Sequence, residues 1–192
     1  EEVAASDPAV LLRSVGGDPS SARVREVAPF RFTRPLSPDM AARAEGRALT
    51  LHDVVRASLD PRAELTLVEG VGGVMVPLDD AHTVLDWIVA LACPALVVTG
   101  SALGALSSAL TALSVLRARD VPVASVVVSE SDPRASLYPP VPLDETVRSL
   151  TPHAHGAPIH VVTRGQARAP DALVDDVARA CGLASTTRVE AS

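Results

Sequence analysis

Glu69 stands out in this chain because of its neighbours: it follows the apolar run Leu65-Thr66-Leu67-Val68 and precedes Gly70-Val71-Gly72-Gly73. A strand ending there delivers an acid into a loop whose glycines let backbone approach a ligand closely. A hard oxygen donor in that setting suits Mg²⁺, which takes one or two carboxylates and fills its shell with phosphate oxygens and water. The chemistry indicated is that of a nucleotide. The same residue also reads as a strand-ending glutamate paired with an arginine, its glycines forming only a turn, and the spacing leaves both readings open. Asp7 is a second acid of this kind, at the mouth of a helix opened by Ser6-Asp7-Pro8. It serves there either as a metal ligand or as a cap favoured by the helix dipole. The third candidate is Thr99-Gly100-Ser101-Ala102-Leu103-Gly104-Ala105-Leu106-Ser107-Ser108, a strand-to-helix turn. Its free N–H groups suit a carboxylate or phosphate, and a closely packed turn is the plainer alternative. Its glycine spacing is not G-x-G-x-x-G, which argues against a dinucleotide site.

Absences are equally informative. All 17 basic residues are arginine, and no G-x-x-x-x-G-K-[ST] loop occurs. Arginine does not replace a phosphate-gripping lysine freely, so the phosphate-gripping segment of a nucleotide enzyme is missing from these residues. His153, His155 and His160 lack an acidic or cysteine partner at metal-binding spacing. No G-x-S-x-G marks Ser101, Ser107 or Ser108 as a hydrolase nucleophile, and Trp87 sits in an apolar helical stretch suited to packing.

The elements that must position these residues follow from periodicity and punctuation. Helices are expected over Ala9 to Val15, Asp39 to Glu45, Leu49 to Leu59, His82 to Leu91, Gly104 to Arg119, Asp144 to Leu150 and Asp171 to Cys181. Strands are expected at Glu64 to Val68, Ala95 to Thr99, Val123 to Val128 and Ile159 to Val162, with Val27 to Phe32 short and extended. The strands are continuously apolar rather than alternating, the pattern of a sheet covered on both faces. Strand and helix alternate from Glu64 onward, so the fold class is α/β, a doubly wound and mostly parallel sheet with helices on both faces. Ligands bind beyond the carboxyl ends of such strands, which selects the loops Glu69 to Gly73, Gly100 to Gly104 and Ser129 to Asp132.

At 192 residues and 47% hydrophobic content, one substantial core is affordable, and residues 1–184 are expected to form a single domain with 185–192 a flexible tail. The formal charge of -6, with arginines scattered singly, argues against nucleic acid or an anionic membrane as partner. Small acidic or neutral metabolites fit better. Two distant cysteines, Cys93 and Cys181, give neither a disulfide framework nor a metal spacing and suit a reducing cytoplasm. The opening residues Glu1 to Ser6 lack the basic start and apolar core of a secretory leader, so none is expected, and no apolar run is long enough for a bilayer.

Taken in order, Ser6-Asp7, Pro35-Leu36-Ser37-Pro38, Glu45-Gly46-Arg47, Val68-Glu69-Gly70-Val71-Gly72-Gly73 with Val76-Pro77-Leu78, and Leu103-Gly104 after a Val-Val strand resemble the dethiobiotin synthetases over about residues 6 to 130. The resemblance implies a P-loop NTPase-like fold whose first strand and P-loop are absent from these residues, and a cytoplasmic homodimer acting in biotin biosynthesis. It implies an ATP-dependent carbon–nitrogen cyclo-ligase that closes the ureido ring on 7,8-diaminononanoate with CO2, through a carbamate and its mixed phosphoric anhydride. Carried over by position, Asp7 and Glu69 would hold Mg²⁺. Gly70, Gly72 and Gly73 would approach the nucleotide, and Ser129 would lie in the adenine pocket. Ser37 would stand near the substrate, while Leu103, Gly104, Ala105, Leu106 and Ser107 would take its carboxylate across the dimer interface. The chain departs from the family where Ser107-Ser108 replaces the usual Asn-His and Ser129 a common Asn. It also begins after both the family's Gly-x-x-x-x-Gly-Lys-Thr loop and its Lys-Pro segment. No catalytic residue is identifiable without those lysines, so the chain by itself is expected to be an inactive, N-terminally truncated form. The alternative is a degenerate homologue serving as a binding or structural module. A third reading is another P-loop ligase or amidotransferase-like synthetase using the same glycine-rich loop.

Overall fold

The computed structural model describes residues 6–60, 63–134, 138 and 141–183. The expected tail at 185–192 and most of the proline loop around Tyr138 lie outside the described residues. The chain forms two compact units: one reaches to Gly72 and takes in Val76–Thr83, and the other comprises Gly73–Met75 and everything from Val84.

The first unit is helical. Helix α1 (Asp7–Ser14) places Pro8 in its opening turn, where a missing N–H costs nothing, and packs Ala9 and Leu12 against Val24 of α2 (Ser21–Val27). Helix α2 was not expected. Its start is built locally, because the Ser20 hydroxyl accepts the Arg23 N–H and the Asp18 carboxylate accepts the Ser20 N–H, so Val27 closes a helix rather than opening an extended run. Helix α3 (Pro38–Ala44) buries Ala41 and Ala42. Helix α4 (Leu51–Ser58) begins with a reciprocal Thr50–Asp53 capping box, which satisfies two orphan donors at once.

The second unit carries the sheet. Helix α5 (Val84–Leu91) leads to β1 (Ala95–Thr99), then α6 (Ala105–Ala118), β2 (Val123–Ser129), α7 (Leu143–Leu150), a short 3₁₀ turn, β3 (Ile159–Val162) and α8 (Asp171–Ala180). The three strands pair in the order β1-β2-β3, all parallel, as the continuous apolar runs predict. In β2 the consecutive residues Ser125, Val126, Val127 and Val128 are all buried. Successive side chains point to opposite faces, so both faces of this central strand are covered. Helix α6 supplies Ala109, Leu113 and Leu116 at helical spacing to a core shared with Leu85, Val97, Val126, Val128 and Leu150.

Two expectations about strands need correction. Residues 64–68 form no strand, and Leu67 is 79% exposed. An apolar run becomes a strand only with a neighbour to bond, and among the described residues none pairs with this segment. In β1, Val97 is buried while Leu96 and Val98 are exposed, so this strand is covered on one face only.

Candidate functional site

The acids and glycines of the first candidate loop lie in the first unit, except Gly73. Asp7 is an exposed residue of the first turn of α1, and the N-cap position before it, Ser6, makes no side-chain capping bond. Glu69 is exposed as well, and among the described residues no arginine pairs with it. Accessible carboxylates of this kind are the donor type that magnesium takes beside phosphate oxygens and water. Neither Asp7 nor Glu69 belongs to a cluster of three metal-binding side chains among the described residues.

Gly72 has a requirement of its own. Its φ is +68°, the left-handed region, and a Cβ there would lie 2.9 Å from Cγ2 of Val76. Only glycine makes this turn without strain. Just beyond it, Pro77 and Thr83 form an antiparallel bridge. Asp79 organises the loop between: its carboxylate accepts the N–H groups of Leu51, Ala81 and His82, and bonds the His82 ring at 2.9 Å. Burial pushes its carboxyl up, yet these hydrogen bonds together outweigh that and hold it below the usual aspartate value.

Ser37 occupies the N-cap position of α3, but its hydroxyl donates to Asp39 at 2.5 Å instead of capping the helix. That bond is the largest cause of the lowered Asp39 carboxyl. The Glu45-Gly46-Arg47 element acts as a clamp that the sequence did not reveal. Glu45 accepts the Thr33 N–H at 2.7 Å, while Arg47 donates to the Arg31 carbonyl at 2.8 Å and lies 4.7 Å from the centre of the Phe32 ring. Together they pin residues 31–33, close before the Pro35-Leu36-Ser37-Pro38 loop.

In the second unit, the parallel strands bring two candidate loops side by side at their carboxyl ends. Gly104, at φ +90°, is the N-cap of α6. The Ala105 N–H bonds the Ala102 carbonyl and the Ser108 N–H bonds that of Gly104, and among the described residues Leu106 and Ser107 are left as the open donors of the first turn. The Thr99 hydroxyl ties the end of β1 to the Ala105 carbonyl. A helix of fourteen residues with two open donors attracts an anion through both hydrogen bonds and its dipole. Leu103 beside it is exposed, offering apolar surface to an aliphatic chain.

Ser129 ends β2 opposite Val162. The loop after it is held from the β3 side. The Glu130 N–H donates to the Val162 carbonyl, and its carboxylate accepts the Arg164 N–H. Asp132 pairs with Arg134 and Arg164, and bonds from Arg134, chiefly, lower its carboxyl. Ser101 and Ser131 bond each other across the two loops; both lie in loops selected by the strand ends, but no local pattern marks their pairing. The histidines have ordinary partners: His160 bonds Asp176, and Arg117 contacts the His155 ring. Both cysteines are free, and no described helix is long and apolar enough to cross a membrane.

A family model described as an AAA domain matches residues 3–165. The chain is similar to the ATP-dependent dethiobiotin synthetase BioD of Caulobacter sp., at 48% identity over 179 residues that cover 91% of this chain and 74% of that protein. It is similar to the protein of the same name from Acidiphilium cryptum at 42% identity, covering 81% and 69% of the two chains. For the Phenylobacterium zucineum protein, again of that name, the values are 42%, 91% and 75%.

Proposed function

Because the chain belongs to the dethiobiotin synthetase family, we propose that it carries the substrate- and metal-binding part of an enzyme that closes the ureido ring of dethiobiotin in biotin biosynthesis. The observation that carries this reading is the 48% identity to a named dethiobiotin synthetase across 91% of the chain, joined to a helix start with two open donors at the carboxyl rim of a parallel sheet. The substrates are ATP, CO2 and 7,8-diaminononanoate. One amine takes up CO2 as a carbamate, ATP phosphorylates the carbamate oxygen, and the second amine attacks the carbonyl carbon and expels phosphate.

Within this reading the Leu106 and Ser107 N–H groups hold the substrate carboxylate, and exposed Leu103 lies along its methylene chain. Holding the carboxylate fixes where the diamine sits, and such positioning lowers the entropic part of the barrier. Gly72, left-handed and free of a Cβ, lets backbone come close to the nucleotide, and Ser129 contributes to the adenine pocket. Asp7 and Glu69 would hold Mg²⁺, which supplies neutralisation of phosphate charge when bound. The lysines that commonly steady a transferring phosphoryl group do not occur in these residues. Their stabilisation amounts to several kcal/mol, so the 192 residues alone do not turn over. A homodimer in the cytoplasm completes the proposal.

The test is paired. The 192-residue chain given ATP, Mg²⁺, bicarbonate and 7,8-diaminononanoate yields no ADP. The same chain joined to the Gly-x-x-x-x-Gly-Lys-Thr segment of a relative releases ADP in step with dethiobiotin. An extended protein that binds neither diamine nor ATP would leave only a non-catalytic module.

A further inference from the structure

The Ser101–Ser131 contact does more than pack a turn. Ser101 is 1% exposed. Its N–H donates to the Ser131 Oγ at 2.9 Å, its own Oγ accepts the Ser131 N–H at 3.2 Å, and its carbonyl accepts the Val141 N–H at 2.7 Å. Every polar group of this residue therefore faces another loop. Gly100 is part of the same arrangement, since a Cβ there would stand 2.6 Å from the Ser131 Oγ. Any other residue would force the Ser131 hydroxyl out of its place beside the Ser101 N–H. The turn after β1, the loop after β2 and the segment entering α7 are thus fastened at one buried point.

We propose that Ser101 and Ser131 are positioning residues that lock the start of α6 onto the loop following Ser129, so that the carboxylate-holding donors at Leu106 and Ser107 are set before substrate arrives. The proposal rests on the reading of those donors as the carboxylate site. Three residues separate Ser101 from Ala105, and among them Gly104 takes a left-handed turn that the strand itself does not dictate. Without the clasp this short connection samples other conformations. A site that must be ordered on binding holds its ligand less tightly than one already ordered. On the other side, Glu130 and Asp132 tie the Ser131 loop to Arg164 beyond β3.

Two measurements on the purified protein separate the clasp from its role. Hydrogen exchange reads the Ser101 amide directly: Ser131→Ala speeds its exchange, and Gly100→Ala does the same by steric exclusion. Unchanged protection in both variants overturns the clasp. Calorimetric titration then compares 7,8-diaminononanoate with 2,3-diaminooctane, which has the diamine but no carboxylate. Ser131→Ala weakens the first about five- to tenfold, the weight of one hydrogen bond, leaves the second within about twofold, and Ser131→Thr restores binding. Equal weakening of both ligands means a merely structural role and overturns the positioning claim. If the unaltered protein binds neither ligand while its Ser101 amide is protected, the carboxylate reading fails and the positioning claim with it, although the clasp stands.

Discussion

The His160–Asp176 bond joins β3 to α8, and removing it tests how the last strand is held. His160 Nε2 lies 2.9 Å from Asp176 Oδ2, with the side chains 12% and 13% exposed. Water cannot take over a bond so enclosed, and a hydrogen bond to an ionised group contributes about 1.5–3 kcal/mol. Asp176 also meets Arg179 at 2.6 Å, but that arginine is largely exposed, and such a pair adds about 0–1 kcal/mol. Asp176→Ala is therefore expected to cost about 2–3 kcal/mol, mostly through the stranded imidazole. For a chain of this size that lowers the midpoint of thermal unfolding by roughly 4–12 °C. Hydrogen bonds from His160, then Arg179, hold the Asp176 carboxyl below the ordinary aspartate value. A depressed carboxyl stabilises fully above its unfolded value, about 3.9, and the contribution is lost as pH falls through the folded one. Urea unfolding followed by far-ultraviolet circular dichroism at pH 7, 5 and 3.5 should show a constant gap between unaltered protein and variant at the first two. The gap narrows at the third. A gap below about 0.5 kcal/mol at pH 7, or one that widens on acidification, refutes the argument, and a cycle with His160→Ala isolates the pair from Arg179.

Other expectations are more local. Gly72→Ala combines a left-handed φ with a Cβ pressed on Val76, costs about 1–3 kcal/mol, and should be read as loss of ATP affinity in the P-loop-extended protein and as a shifted urea midpoint. Leu116→Ala empties the core beneath β1 and β2, where Leu116 is 1% exposed, at about 2–5 kcal/mol by chemical denaturation. Thr50→Ala removes the hydroxyl half of the α4 capping box for about 1 kcal/mol. Glu69→Gln should leave the unfolding midpoint unchanged while weakening Mg²⁺-dependent ATP binding in the extended protein, a split that an ion-pairing glutamate would not produce.

Much of the second unit was legible in the sequence because its signals are local and repeated. The runs Ala95 to Thr99 and Ile159 to Val162 became strands with those bounds, and the Leu-rich stretch closed by Arg119 became α6. The 64–68 segment misled for a physical reason: its β-prone composition resembles that of β1, but pairing depends on a neighbour that composition does not specify. Helix α2 was hidden because only Val24 of its seven residues is buried, so no apolar stripe announces it. At the candidate site, Glu69, Gly72 and Gly104 were visible as residue types in loops. The Ser101–Ser131 clasp spans thirty positions, and the Glu45–Thr33 tie spans twelve, separations at which a single sequence carries no pattern.

The sheet's central position falls to β2, whose second neighbour lies late in the chain, with about 30 residues separating Ser129 from Ile159. A ribosome adding about 5–20 residues per second needs roughly 1.5–6 s to cross that interval. Throughout it the nascent β1–β2 ribbon carries a vacant edge rich in valine. Slower decoding or scarce chaperones over this stretch should therefore raise the share of chains that associate through that edge before β3 is made.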